Sequence, residues 1–205
     1  MEIILTLSMG FIERPNNHLE RSFNMIEDWR EFREGMILKE LDPIMKDWKL
    51  LHVGIIVEDL DRAVSFWLST GIATFDNKSF HFDINTCPEL SYYGKPADPN
   101  FDTRWRLGQI GALPVELGQV IGGESTYKEF FQNKGEGVHH IGFSAPNFDE
   151  AAAYMVSKGM PMLISACPKG CGWAYFDAQK TGGGVIIELI DFNSKGCNWY
   201  ARLTD

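Results

Sequence analysis

Two stretches of this chain run through the same sequence of apolar patterns. "LLHVGIIV", Leu50 to Val57, is a short apolar run rich in β-branched residues, the pattern of a buried strand. "EDLDRAVSFWLSTG" follows, with Asp59 as candidate N-cap, Leu60, Val64 and Trp67 or Leu68 on one helical face, and Gly71 as stop. Later, "HHIGFSA" reads as a strand and "PNFDEAAAYMVSKG" as a helix, capped by Asn147, with Phe148, Ala152 and Met155 inside and Gly159 as stop. The two stretches align without a gap at an offset of 88: His52 with His140, Gly54 with Gly142, Asp61 with Asp149, Ala63 with Ala151 and Gly71 with Gly159. An internal repeat therefore predicts two modules of like fold.

Each repeat continues into further strands. The first gives "TRWRLGQIG" and "LPVELGQV", the second "WAYFDAQ" and "GGGVIIELID". The expected fold class is α+β, with a first module over 49–121 and a linker plus second module over 122–193. Residues 1–48 have a different pattern. Leu19, Phe23, Ile26, Trp29 and Phe32 fall near helical spacing before Gly35, which predicts an amphipathic arm. Residues 194–205 form a tail.

Each module ends on a glutamate set in an apolar run, Glu116 in "PVELG" and Glu188 in "IIELI". Burying a carboxylate without a partner is costly, so such residues are paired or hold metal. One reading pairs them with Arg104, Arg106 or a lysine. The other folds the modules together about a pseudo-twofold axis, so that two His and two Glu converge. Nitrogen and carboxylate ligands then suit Fe, Co, Ni, Mn or Zn, with positions left open for a substrate bearing two neighbouring oxygens. His139 adjoins His140. Neighbouring strand residues point to opposite faces, so His139 is expected on the helix-packed side with Ile141 and Phe143, as a packing or supporting residue.

The His-to-Glu spacing is 64 in the first module and 48 in the second, which places an insertion of about sixteen residues near 76–103. It is rich in aromatics (Phe80, Phe82, Tyr92, Tyr93, Phe101) and reads either as a cap on the pocket or as a surface excursion. Its acids include Asp83, Glu89 and Asp98. His18 and His81 lie outside the repeated strands and read as surface or packing residues. "GGES", Gly122 to Ser125, reads as a turn and helix cap.

The net charge of -9 argues against a nucleic-acid partner. Cys87, Cys167, Cys171 and Cys197 have no zinc-knuckle spacing and read as free thiols of a reducing compartment. The apolar run Ile3 to Leu7 is too short to span a membrane and lacks a basic flank, so a cytoplasmic location is the expectation.

The stretches "LHVGIIVEDLDRAVSFW", "VELGQVIGGESTYKEFFQNKGEGVHHIGF" and "KTGGGVIIELID" resemble the vicinal oxygen chelate superfamily, the glyoxalase, bleomycin-resistance and extradiol-dioxygenase group. The likeness covers about three quarters of the chain and is greatest to the methylmalonyl-CoA epimerase branch. It implies two βαβββ modules paired in a cupped mixed sheet around a divalent ion (Co, Mn, Fe, Ni or Zn), with His52, Glu116, His140 and Glu188 at the ligand positions. It also implies isomerase or epimerase activity through a metal-bound enolate, with Glu188 or an acid of the insertion (Asp83, Glu89 or Asp98) as candidate base, on a small carbonyl compound, an acyl thioester among the options. A homodimer is expected. Three departures stand out: the insertion, the N-terminal arm, and Trp173 and Tyr175 where the branch tends to be smaller and basic. Trp173, Tyr175, Tyr92 and Tyr93 are accordingly the candidate substrate contacts. The alternatives are a glyoxalase-type lyase, an Fe(II) ring-cleaving dioxygenase, and a metal-free small-molecule binding protein.

Overall fold

The computed structural model describes residues 42–87, 89–166, 172–180 and 182–191. The apolar face expected of the arm, Leu19 to Phe32, lies outside these residues, as do His18, Cys167, Cys171, Cys197 and the tail. In chain order the strands are β1 (Lys49–Ile56), β2 (Ala73–Phe75), β3 (Phe80–Asp83), β4 (Ser91–Tyr92), β5 (Lys95–Pro96), β6 (Asp102–Ile110), β7 (Leu113–Gly122), β8 (Gly137–Ser144), β9 (Met162–Ala166), β10 (Trp173–Asp177) and β11 (Ile186–Ile190). The helices are α1 (Leu60–Ser69), α2 (Thr126–Lys134) and α3 (Phe148–Ser157). No helix among the described residues is long and apolar enough to cross a membrane.

All the strands join one mixed sheet, ordered β2-β6-β7-β1-β8-β11-β10-β9-β4-β5, with β3 also beside β6. The order is two βαβββ modules back to back. In each, the first strand runs parallel to the last, β1 to β7 and β8 to β11. The modules meet where β1 pairs antiparallel with β8. The helix caps repeat as well. Asp59 accepts from the Arg62 amide at 2.9 Å and Asn147 from the Glu150 amide at 3.3 Å, while Gly71 and Gly159 close the two helices with positive φ.

One face of the sheet carries α1 and α3. Leu60 and Val64 pack on Leu117, and Ala151 and Met155 on Ala174, Phe176 and Leu189. The opposite face is cupped and lined by the alternate residues of the same strands: Trp173 and Tyr175 of β10, Ile186 and Ile190 of β11, Trp105 of β6. Strands buried on both faces must be apolar at nearly every position. That is why "VIIELI" and "WAYF" show no polar alternation. Helix α2 covers the cup with Tyr127 and Phe130. Ser125 caps it, accepting from the Lys128 amide at 3.2 Å, as "GGES" predicts.

The insertion is built into the fold. β3 continues β2 along the outer side of β6, with Phe80 opposite Trp105. Beyond it, β4 and β5 form a two-residue hairpin that pairs with β9, at the far edge of the other module. Its turn residues, Tyr93 (φ 49°) and Gly94 (φ 71°), both have the positive φ that such a tight turn needs. The segment thereby pairs with both modules, and Cys87, Leu90 and Phe101 are buried in the cup cluster.

Candidate metal centre

His52 from β1, Glu116 from β7, His140 from β8 and Glu188 from β11 converge at the centre of the cup. The Nε2 atoms of His52 and His140 are 3.0 Å apart. Glu188 Oε2 lies 2.9 Å from His52 Nε2 and 3.4 Å from His140 Nε2, and Glu116 Oε2 lies 3.5 and 3.8 Å from the same atoms. Donors bound at 2.0–2.2 Å to one ion sit about 3–3.5 Å from each other, so this spacing fits a metal. His52, Glu116 and His140 each offer a ligand atom within 4.8 Å of the other two. Both imidazoles are fully buried, and Glu116 and Glu188 are only 6% and 5% exposed. At His52, burial disfavours the charged ring, but the Glu116 charge and the Glu188 hydrogen bond outweigh it and raise the pKa. The same negative surroundings suit a divalent cation. The arginines are engaged elsewhere: Arg104 donates to both oxygens of Asp61 at 2.9 Å, with Arg106 4.0 Å from the same carboxylate.

Two cross-strand glycines make the convergence sterically feasible. Gly54 faces His140, and Gly142 faces His52. A Cβ on Gly54 would lie 1.9 Å from His140 Cε1, and one on Gly142 2.4 Å from His52 Cε1. Each glycine therefore makes room for the histidine of the other module, not for its own.

The simple strand reading of His139 fails, for a clear reason. In the β1–β8 ladder His140 faces Gly54 but Val138 faces Ile55, so His139 is an extra, bulged residue. The opposite end of the same ladder skips Leu51. A bulge re-aims the side chain. His139 points into the cup beside His140, with their Nδ1 atoms 3.0 Å apart, and its ring lies 4.9 Å from Tyr127 and 5.2 Å from Phe130. Burial, helped by the charge His140 can carry, holds its pKa well below that of an ordinary histidine, so it is neutral. If His140 presents its Nε2 lone pair to the cluster, its Nδ1–H donates to His139 Nδ1. In that tautomer His139 orients the His140 ring, in the way a supporting hydrogen bond orients a metal-binding histidine.

Of the four candidate substrate contacts, Trp173 and Tyr175 line the cup. Tyr175 sits 4.9 Å from the His140 ring and accepts a 2.8 Å hydrogen bond from the Tyr127 hydroxyl. Burial keeps both tyrosines protonated. Tyr92 packs against the cup cluster from the hairpin. Tyr93 stands at the hairpin tip, half exposed, and donates to Glu129 Oε2 at 3.1 Å. The acids of the insertion do not enter the cluster. Asp83 caps a turn by accepting from the Asn85 and Thr86 amides, Asp98 accepts from the Asn100 and Glu124 amides, and Glu89 is exposed. His81, half exposed, pairs with Asp102 at 2.8 Å. The sequence reading missed Tyr127, 4.9 Å from the His139 ring, and Trp105, 6.2 Å from the His140 ring. The helical spacing of Tyr127, Phe130 and Phe131 was the available signal for the first.

The family model of the Glyoxalase/Bleomycin resistance protein/Dioxygenase superfamily matches residues 51–176. No curated protein matches the sequence. Among solved structures, methylmalonyl-CoA epimerase from Mycobacterium tuberculosis is similar at 18% identity and TM-score 0.53, over 75% of this chain and 93% of its own. A hypothetical protein from Bacillus halodurans C-125 is similar at 19% identity and TM-score 0.52, over 75% of this chain and 100% of its own. A methylmalonyl-CoA epimerase in complex with methylmalonyl-CoA and NH4+ aligns at 21% identity and TM-score 0.51, over 71% of this chain and 96% of its own. At these identities the neighbours speak for the fold, and the family match extends over more than half of the sequence, so the chain belongs to the glyoxalase/bleomycin resistance protein/dioxygenase superfamily.

Proposed function

We propose that the protein is a divalent-metal-dependent isomerase or epimerase that moves a proton at the carbon α to a carbonyl, through an enolate. The observation that carries this reading is the convergence of two imidazole nitrogens and two carboxylates, one pair from each module, in a buried cup. His52, Glu116, His140 and Glu188 would hold the ion. When bound, a divalent cation supplies Lewis-acid stabilisation of negative charge on the substrate oxygen.

The chain's own residues do the rest. Glu188 accepts the α-proton as the C–H bond breaks and its electron pair moves toward the carbonyl oxygen, and a proton delivered from solvent to the opposite face of the planar enolate inverts the carbon, after which Glu188 gives up its proton to water. Its position among buried groups strengthens each electrostatic interaction. His139 holds the His140 ring in place. Tyr175 and Trp173 supply the wall against which the substrate lies.

The test begins with elemental analysis of protein purified without a histidine tag. About one divalent ion per chain is expected, with loss of the ion in His140→Ala. Metal-loaded protein should then exchange the α-hydrogen of carbonyl substrates for deuterium, as followed by NMR. Metal-free protein that binds a ligand as tightly as metal-loaded protein would sink the reading in favour of a sequestration protein.

A further inference from the structure

We propose that residues 76–103 form a specificity strap that seals the cup and restricts the site to compact carbonyl compounds, shutting out substrates that carry a nucleotide tail. The proposal deepens the enolate reading and rests on it.

Four observations carry it. The segment is anchored on both modules, through β3 on β6 and through the β4–β5 hairpin on β9. Its Cys87 and Leu90, between these anchors, and Phe101, just past the hairpin, are each at most 4% exposed and are packed into the same cluster as Trp105, Tyr127 and Tyr175, the rings that flank the two neighbouring histidines. The four convergent donors beneath that cluster are buried, with neither histidine exposed and each glutamate at most 6% exposed. Finally, the strap carries Asp76, Asp83, Glu89, Asp98 and Asp102 against only Lys78 and Lys95. Such a strap repels a polyphosphate tail instead of recruiting it.

The hairpin end of the strap has the features of a fastening that can open. Its amide and hydroxyl both bind outside the strap: Tyr93 N donates to the Leu163 carbonyl at 2.7 Å, and the Tyr93 hydroxyl to Glu129 on α2. Tyr93 does this in the left-handed backbone region, which costs a non-glycine residue free energy that the fastening must outweigh. A compact substrate enters when this end lifts and is enclosed when it returns. A substrate with a long tail would hold the strap off the cup.

The decisive comparison presents one acyl group in two forms to metal-loaded, full-length protein: on N-acetylcysteamine, which keeps the thioester, and on coenzyme A, which adds the nucleotide. The readout is α-hydrogen exchange by NMR. The truncated thioester should have kcat/KM about tenfold or more above that of the coenzyme A form, and Leu90→Ala should narrow the ratio. A coenzyme A form that is equal or better overturns the proposal. Exchange with neither form is a failure of the enolate chemistry, and the strap is then judged by Cys87. Labelling of this thiol, followed by peptide mass spectrometry so that the other cysteines do not interfere, should be about 100-fold slower in folded protein than in denaturant. Tyr93→Phe, which removes only the hydroxyl, should speed it severalfold. Equal labelling in folded and denatured protein, or an unchanged rate in Tyr93→Phe, overturns the strap.

Discussion

Strands β1 and β8 share a backbone plan but not a chemistry. Each places a histidine toward the cup, faces a glycine across the ladder, and carries a bulge one residue before the histidine. In β1 the bulged residue is Leu51, which packs against the cup cluster. In β8 it is His139, which touches His140. The comparison shows that the two-fold plan concerns where side chains point. It leaves each module free to fill a given position with grease or with a polar partner.

The shared plan breaks first at the glycines. Gly54→Ala would drive a methyl into His140 and Gly142→Ala one into His52, with both rings fully buried and no space to retreat. Each substitution should lower stability by about 1–3 kcal/mol, read by urea unfolding, and should remove most metal binding in a titration. Gly54→Ala should be the worse, because its contact is the closer. If either variant bound metal as the parent does, the glycines would not be what seats the histidines.

The unequal bulges give the next effect. His139→Leu gives β8 the residue that β1 already carries. The fold should survive, since a similar volume is kept and a buried polar ring is removed. Metal affinity should fall roughly 10–100-fold, because His140 loses the group that orients it. Unchanged affinity would reduce His139 to a filler, as Leu51 is.

Much of this plan was legible in the sequence, and the parts that were not have identifiable causes. The offset of 88 between His52 and His140, the capped helices and the buried-strand composition are local signals, and they located the modules and the four convergent residues. Strand alternation, by contrast, assumes an unbroken ladder. A bulge depends on how β1 and β8 register with each other, which no single strand encodes, so His139 was placed on the wrong face. That Gly54 faces His140 and Gly142 faces His52 is likewise a property of pairing, which neither strand encodes alone. The insertion was recognisable by length and aromatic content, but its docking on β9 depends on contacts with residues more than 70 positions away. Candidate bases at Asp83 and Asp98 were attractive as charges, and both proved to cap turns.

The smallest effect tests how far the repeat extends in its charges. Asp61 and Asp149 occupy the same place in the first turn of α1 and α3, so both favour the helix N-terminus. Only Asp61 faces Arg104, whose fork binds both its oxygens. Among the described residues no guanidinium pairs with Asp149. The Arg104 hydrogen bonds, foremost, hold the Asp61 carboxyl below the ordinary carboxylate value of 3.8. A lowered pKa stabilises the fold above the unfolded value and ceases to do so as pH falls through the folded one. Asp61→Asn should therefore lower Tm more than Asp149→Asn at pH 7, by at most about 2 °C, given how much an exposed pair is screened. The difference should shrink as pH falls below 3.8 and also in about 1 M salt. Because both variants lose the same helix-terminus interaction, subtracting one from the other isolates the arginine. A difference that neither acid nor salt reduces would assign the effect to packing around α1 and not to charge.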